Sequence, residues 1–141
     1  MSKYSIGNRT TNVTTANPTL EVIAPAAGTR VVGITITMAA ATASVFGIGR
    51  AAAVGVTPTT PATLVRLDAG RPATLTTTAL AWATPPTIPA AFIARTNLPA
   101  TIGASVTLSF PEGITLATGE SLVVWNLSTC GVSDITVTTD E

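Results

Sequence analysis

The sequence predicts an all-β protein, a sandwich or barrel of short antiparallel strands. Three observations carry this. Apolar and polar residues alternate at period two in one segment after another, as in strands that rest one face on a core. Turn chemistry separates these segments at short intervals. No window of the 141 residues shows a helical period with caps, although Met38 to Ala43 permits one helical turn.

The elements follow in order. Residues 1–18 are polar and aperiodic, end at the turn signal Asn17-Pro18, and read as an extended N-terminal arm that orders against something else. A single sandwich domain spans 19–141, with no linker or internal repeat. Leu20, Val22 and Ala24 share one face of its first strand. Val32, Ile34, Ile36 and Met38 form the cleanest inward face, with Thr35 and Thr37 pointing out. Phe46 and Ile48 mark a strand near 43–50, Val65 and Leu67 one near 63–68, and Leu80 and Trp82 a longer one near 75–83. Phe92 to Arg95 is a short candidate. Val106, Leu108 and Phe110 alternate against Thr107 and Ser109, and Ile135 and Val137 against Asp134, Thr136 and Thr138. The separators are Pro25 to Gly28, Thr57 to Pro61, Asp68 to Gly70, Pro85-Pro86, Pro111 to Gly113 and Thr118 to Glu120.

Ser121 to Leu127 is apolar on both faces, Leu122 and Val124 against Val123, Trp125 and Leu127. One face of a sandwich strand meets the core and the other normally meets water. This strand is therefore covered twice, by a loop of its own chain or by a neighbouring subunit. Low charge favours the subunit.

Charged residues make up 10% of the chain, against about 25% in an ordinary soluble domain. Seven basic and seven acidic residues cancel, which leaves no basic stripe for nucleic acid. Threonine fills roughly one position in five, a usage that suits half-buried pleated surfaces. The apolar runs are too short for a helix across a bilayer. A β-rich unit this poor in charge has little to keep it apart from its neighbours, so it reads as a building block.

The inventory for chemistry is thin. Histidine is absent, which removes the commonest general base and the commonest metal ligand. The carboxylates are spread over turns and strand ends; a hydrolytic pair would need two of them, such as Glu112 and Glu120, to converge across a cleft, and they read instead as hydrating turns. No cofactor, metal or catalytic site is expected. Gly47-Ile48-Gly49-Arg50 superficially matches a phosphate loop, but no helix follows it. Glycine within a strand marks a bulge or a close backbone approach, and the bulge is the expectation here. Cys130 stands alone and reads as a small buried hydrophobe. The Asn-Xaa-Thr/Ser matches at Asn8, Asn12 and Asn126 are expected by chance.

Five segments carry a resemblance. They are Asn8 to Thr15, Ala40 to Arg50, Leu98 to Gly103, Phe110 to Ile114 and Gly119 to Leu127. Together they resemble small structural proteins from the head modules of tailed bacteriophages. The last two look like the closing hairpin of a virion jelly roll. The resemblance implies a jelly-roll sandwich and a non-enzymatic capsid decoration (cement) or minor virion protein. Such a protein is assembled in the host cytoplasm, often as a homotrimer. It sits on the outer capsid surface and braces the major capsid protein. No functional residues transfer by motif.

On this reading Lys3, Tyr4 and Arg9 are expected to contact the capsid. Arg50, Trp82, Arg95 and Trp125 are expected at subunit contacts, since arginine suits interface pairs and tryptophan supplies contact area. The other reading, from a different class, is a receptor- or glycan-binding head-fibre or spike module.

Overall fold

A computed structural model describes residues 2–25 and 28–141. Among them every regular element is a strand. The strands are β1 (Lys3–Arg9), β2 (Pro18–Ile23), β3 (Thr29–Met38), β4 (Ser44–Arg50), β5 (Val56–Ala62), β6 (Val65–Arg66), β7 (Thr77–Thr84), β8 (Ala94–Leu98), β9 (Ser105–Leu116), β10 (Ser121–Asn126) and β11 (Ser133–Asp140). They form two antiparallel sheets, ordered β6-β1-β11-β3-β9 and β5-β7-β2-β10-β4-β8. Without β5, β6 and β7, two four-stranded sheets remain, β1-β11-β3-β9 and β2-β10-β4-β8. The chain alternates between them as a jelly roll does. Residues 51–93 are thus an insert between the fourth and fifth jelly-roll strands.

The core lies between the sheets and follows from the alternation. Leu20, Val22, Ile34, Ile36, Phe46, Ile48, Leu122, Val124, Ile135 and Val137 all meet there. Each such side chain contributes about 1.5–3 kcal/mol on burial.

The sequence reading differs from the structure where the alternation slips. Val32 is an extra residue in β3: β11 passes from Thr138 opposite Gly33 to Thr139 opposite Val31. The bulge turns Val31 into the core and Val32 out of it. On the other side of β3, the ladder jumps from Ser109 opposite Gly33 to Ile114 opposite Val31, so Phe110 to Gly113 have no paired residue on β3. The Pro111 to Gly113 turn is therefore a detour within β9. Thr57 to Pro61 is likewise strand, not turn. Its prolines lie in edge strand β5, where missing donors cost least. Met38 to Ala43 forms no helical turn. The turn at Pro25 to Gly28 includes Ala26 and Ala27, which lie outside the described residues.

Residues 3–9 do not lie apart from the sandwich. They pair with β11 through all seven residues, from Lys3–Asp140 to Arg9–Asp134. Residues 10–17 are then tied to the end of β10 by the buried Asn126. Its Nδ2 donates to Asn12 O at 2.8 Å and Thr14 O at 3.2 Å, and its backbone exchanges bonds with Ala16 and Asn17. Polar residues hide this segment from a hydrophobic pattern, because backbone and amide bonds hold it.

Val123 and Trp125, on the outer face of β10, are both 0% exposed in the single chain. The expected subunit cover is replaced by the chain itself. The insert folds back over that sheet: paired backbone bonds of 2.9 Å between Ala52, Ala53 and Thr87 close it on itself, and Ile93 N donates to Ile48 O of β4 at 2.7 Å. No bulge occurs at Gly47 and Gly49, since β4 keeps unbroken register with both β10 and β8. These glycines leave room for the cover. A Cβ on Gly47 would stand 2.9 Å from both Leu127 Cδ1 and Phe92 Cδ1. One on Gly49 would stand 3.0 Å from Phe92 Cδ1 and 3.1 Å from Pro89 Cγ. Gly47→Ala is expected to destabilise by about 1–3 kcal/mol through overpacking, read as a lower urea midpoint with unchanged slope.

Candidate functional site

The outer face of the five-stranded sheet carries ordered rows of side chains. Register places Ser5, Thr138, Gly33 and Ser109 in one row across β1, β11, β3 and β9. Gly7, Thr136, Thr35 and Thr107 form the next, and Arg9, Asp134, Thr37 and Ser105 the third. Strands lie about 4.8 Å apart, so the first two rows make a continuous field with no side chain larger than threonine. Hydroxyls pair across it, Thr35 with Thr107 at 3.1 Å and Thr37 with Ser105 at 2.9 Å. Charged residues frame it. Arg9 and Asp134 stand at one end, and Lys3 opposite Asp140 at the other.

Arg9 grips Asp134 with two bonds, Nε to Oδ1 at 2.8 Å and Nη2 to Oδ2 at 3.0 Å. The hydrogen bond from Arg9 is the main reason the Asp134 carboxyl is held below its ordinary range. Both groups are exposed, so the pair orients Arg9 more than it stabilises the fold. Lys3 is exposed on the same face. Tyr4, expected beside them, points the other way: it is 1% exposed, and its hydroxyl donates to Pro72 O at 2.8 Å. In this conformation it offers no surface to another molecule.

The four residues expected at subunit contacts lie apart. Arg50 is exposed at the end of β4, where its Nη1 donates to Thr115 O at 3.0 Å and pairs with Glu120 at 3.2 Å. Arg95 is exposed on edge strand β8, opposite Gly47. Trp125 is fully buried and has no surface to share. Its indole N–H also finds no acceptor.

Trp82 is half-buried, and its Nε1 donates to Glu21 Oε1 at 2.9 Å. The pairing of β5 with β7 skips Leu80, from Ala79 opposite Pro61 to Ala81 opposite Thr60. That slip sends Leu80 to the core and Trp82 towards Glu21. Trp82 also lines an open cleft of about 280 Å³ with Thr11, Asn12, Thr60 and Pro85.

Four of the carboxyls hold the scaffold together. Glu21 accepts from Trp82 and from Gly55 N, Glu120 from Ala117 N and Arg50, and Asp134 from Arg9. Glu141 gathers Thr74 Oγ1 at 2.6 Å, Thr76 N at 2.9 Å, Leu75 N at 3.3 Å and the Thr76 hydroxyl. No cluster of three or more metal-ligating side chains occurs among the described residues. Cys130 is buried and donates towards Val45 O.

Burial pushes the Glu141 carboxyl up, but the bonds from Thr74, Thr76 and Leu75 outweigh it and hold it below the ordinary glutamate range. A depressed folded value stabilises the protein above the unfolded value. That contribution is lost as pH falls through the folded one. Glu141→Gln is expected to flatten the acid side of the stability curve while leaving its slope near neutral pH unchanged, as read by denaturant midpoints across pH.

No family model matches the chain, and neither a curated protein nor a solved structure does.

Proposed function

We propose that this protein is a non-enzymatic structural subunit of a virion, a decoration protein that binds the major capsid lattice of a tailed-phage head and strengthens the shell. The observation that carries this reading is the field of small hydroxyl side chains framed by Lys3 and Arg9. A rigid sheet face with few rotamer-rich side chains loses little entropy when another surface covers it. The carboxyls of Glu21, Glu120, Asp134 and Glu141 are occupied in bonds that hold loops and strands, which favours a scaffold over a catalyst. Jelly rolls serve capsids, but they also serve lectins, so the fold alone does not decide. Several copies on one shell bind at high effective concentration, and each contact can then be weak.

Purified protein added to heads that lack it is expected to bind and to raise the shell's melting temperature. Arg9→Glu together with Lys3→Glu is expected to slow association and change its salt dependence, as charges at an interface rim do. A protein that stays free in the presence of such heads overturns the reading.

The half-exposed Trp82 in its cleft favours a second reading, a glycan- or receptor-binding module, because one aromatic face is available there. A glycan array separates the two. Binding that is lost on Trp82→Ala supports the module and counts against the decoration role.

A further inference from the structure

The two sheets end on β6, β9, β5 and β8. Three of these edges are blunted. The β6 strand has two residues, β5 carries Pro58 and Pro61 with register shifts, and β8 carries the exposed Arg95. Short strands, prolines and edge charges all discourage pairing. The edge of β9 has none of them from Ser105 to Phe110. No charged residue occurs between Ala100 and Pro111.

This edge is also open. Met38 N–H donates to Ala104 O at 2.7 Å, which sets the phase of the ladder with β3. Val106 and Leu108 bond β3, so Ser105, Thr107 and Ser109 turn their N–H and C=O groups outward. All three are exposed. Behind them Val106, Leu108 and Phe110 pack against the core yet stay only half-buried. Beside them Ile102 is 69% exposed.

We propose that a second copy of this chain docks on this edge, its β9 antiparallel to the first about a two-fold axis at Thr107. The segment is self-complementary in that register. Ser105 faces Ser109 of the second copy, and Thr107 faces its counterpart, which extends the hydroxyl rows across the joint. Val106 faces Leu108, and Phe110 faces Ala104, so apolar residues cap the open end of each core. Ile102 lies diagonal to Phe110, and Glu112 falls opposite Ile102 rather than opposite another acid. No like charges meet. The contact is isologous and closes on itself, giving even-numbered assemblies in place of the trimer the family resemblance implies. It goes beyond the capsid reading and does not rest on it.

Light scattering of the full chain over a concentration series tests it. The wild type is expected to reach twice the monomer mass, and Thr107→Lys to remain at monomer mass with an unchanged circular dichroism spectrum. Thr136→Lys, on the same face but inside the sheet, is the control that still pairs. Register is tested by oxidation. Directly opposed residues of this type lie about 5.5 Å apart at Cα, within the span of a disulfide. Thr107→Cys is expected to give a covalent dimer, and Ser105→Cys none, since Ser105 faces Ser109. A wild type that stays monomeric, an odd-numbered mass, a Thr107→Lys variant that still dimerises, or cross-linking of Ser105→Cys in place of Thr107→Cys overturns the proposal. Dimers that ignore phage heads would sink the capsid reading and leave this one standing.

Discussion

Trp125→Ala is expected to destabilise the protein by about 3–5 kcal/mol, the usual range for emptying a large aromatic site in a core. The residue has 0% exposure although it lies on the outer face of its sheet. Gly47 is its partner on β4, with Phe92 and Leu127 packed close above that glycine. Truncation would leave a cavity under the insert, and the insert would lose its floor. A companion substitution separates packing from polarity. The indole N–H is buried without an acceptor, so Trp125→Phe removes a donor that bonds nothing. Phenylalanine is therefore expected to cost well under half as much as alanine. Chemical denaturation of both variants measures the difference. Equal losses would mean that the indole nitrogen is engaged after all. A loss below about 1 kcal/mol for alanine would mean that the cover is loose.

The same site shows what the sequence could and could not disclose. The double-sided burial of β10 was legible, because Val123 and Trp125 break the expected polar alternation. Its source was not. Cover by residues 85–93 depends on contacts distant in the chain, and no local pattern encodes them. The bulge expected at Gly47 and Gly49 came from the same blindness: glycine signals either a bulge or a close neighbour, and the neighbour is Phe92. Period-two strands such as β3 and β11 were readable along most of their length, and failed at the single bulged residue Val32. Strand β1 was not readable, because only Tyr4 and Ile6 give it an apolar face.

Low charge also needs a different interpretation from the one composition suggested. The field over β1, β11, β3 and β9 is neither charged nor greasy. Its hydroxyls pair with one another across strands, so threonine supplies a polar surface without ions. The most exposed large apolar side chains among the described residues lie elsewhere, at Ile102 beside β9 and at Val65, Leu67 and Leu75 on the insert. Of the residues expected at contacts, Lys3, Arg9, Arg50 and Arg95 are exposed, and Tyr4 and Trp125 are internal. Residue type predicted exposure for the cations, whose solvation resists burial. It could not do so for the large aromatics, which serve interfaces and cores equally.

Glu21→Ala is expected to cost about 3–5 kcal/mol, the sum of two stranded donors at roughly 1–3 kcal/mol each and a small cavity. Glu21 is 0% exposed on β2. One oxygen accepts from Trp82 Nε1 at 2.9 Å and the other from Gly55 N at 3.0 Å. The carboxyl is thus a clasp: it holds β7 by an indole and the start of the insert by a backbone amide. Gly55 completes it, because a Cβ there would lie 2.7 Å from Glu21 Oε1 and inside the indole edge. Glutamine fits the space but has one acceptor where two are needed, and its amide NH₂ must face a donor. Glu21→Gln is therefore expected to lose more than half of what alanine loses, despite conserving volume. Hydrogen exchange locates the effect. The Gly55 amide should lose its protection in both variants while β10 and β11 keep theirs, until global stability is exhausted. If Glu21→Gln unfolds like the wild type and leaves Gly55 protected, the two bonds do not hold the insert. The closeness of Phe92 and Pro89 to β4 would then be its main attachment.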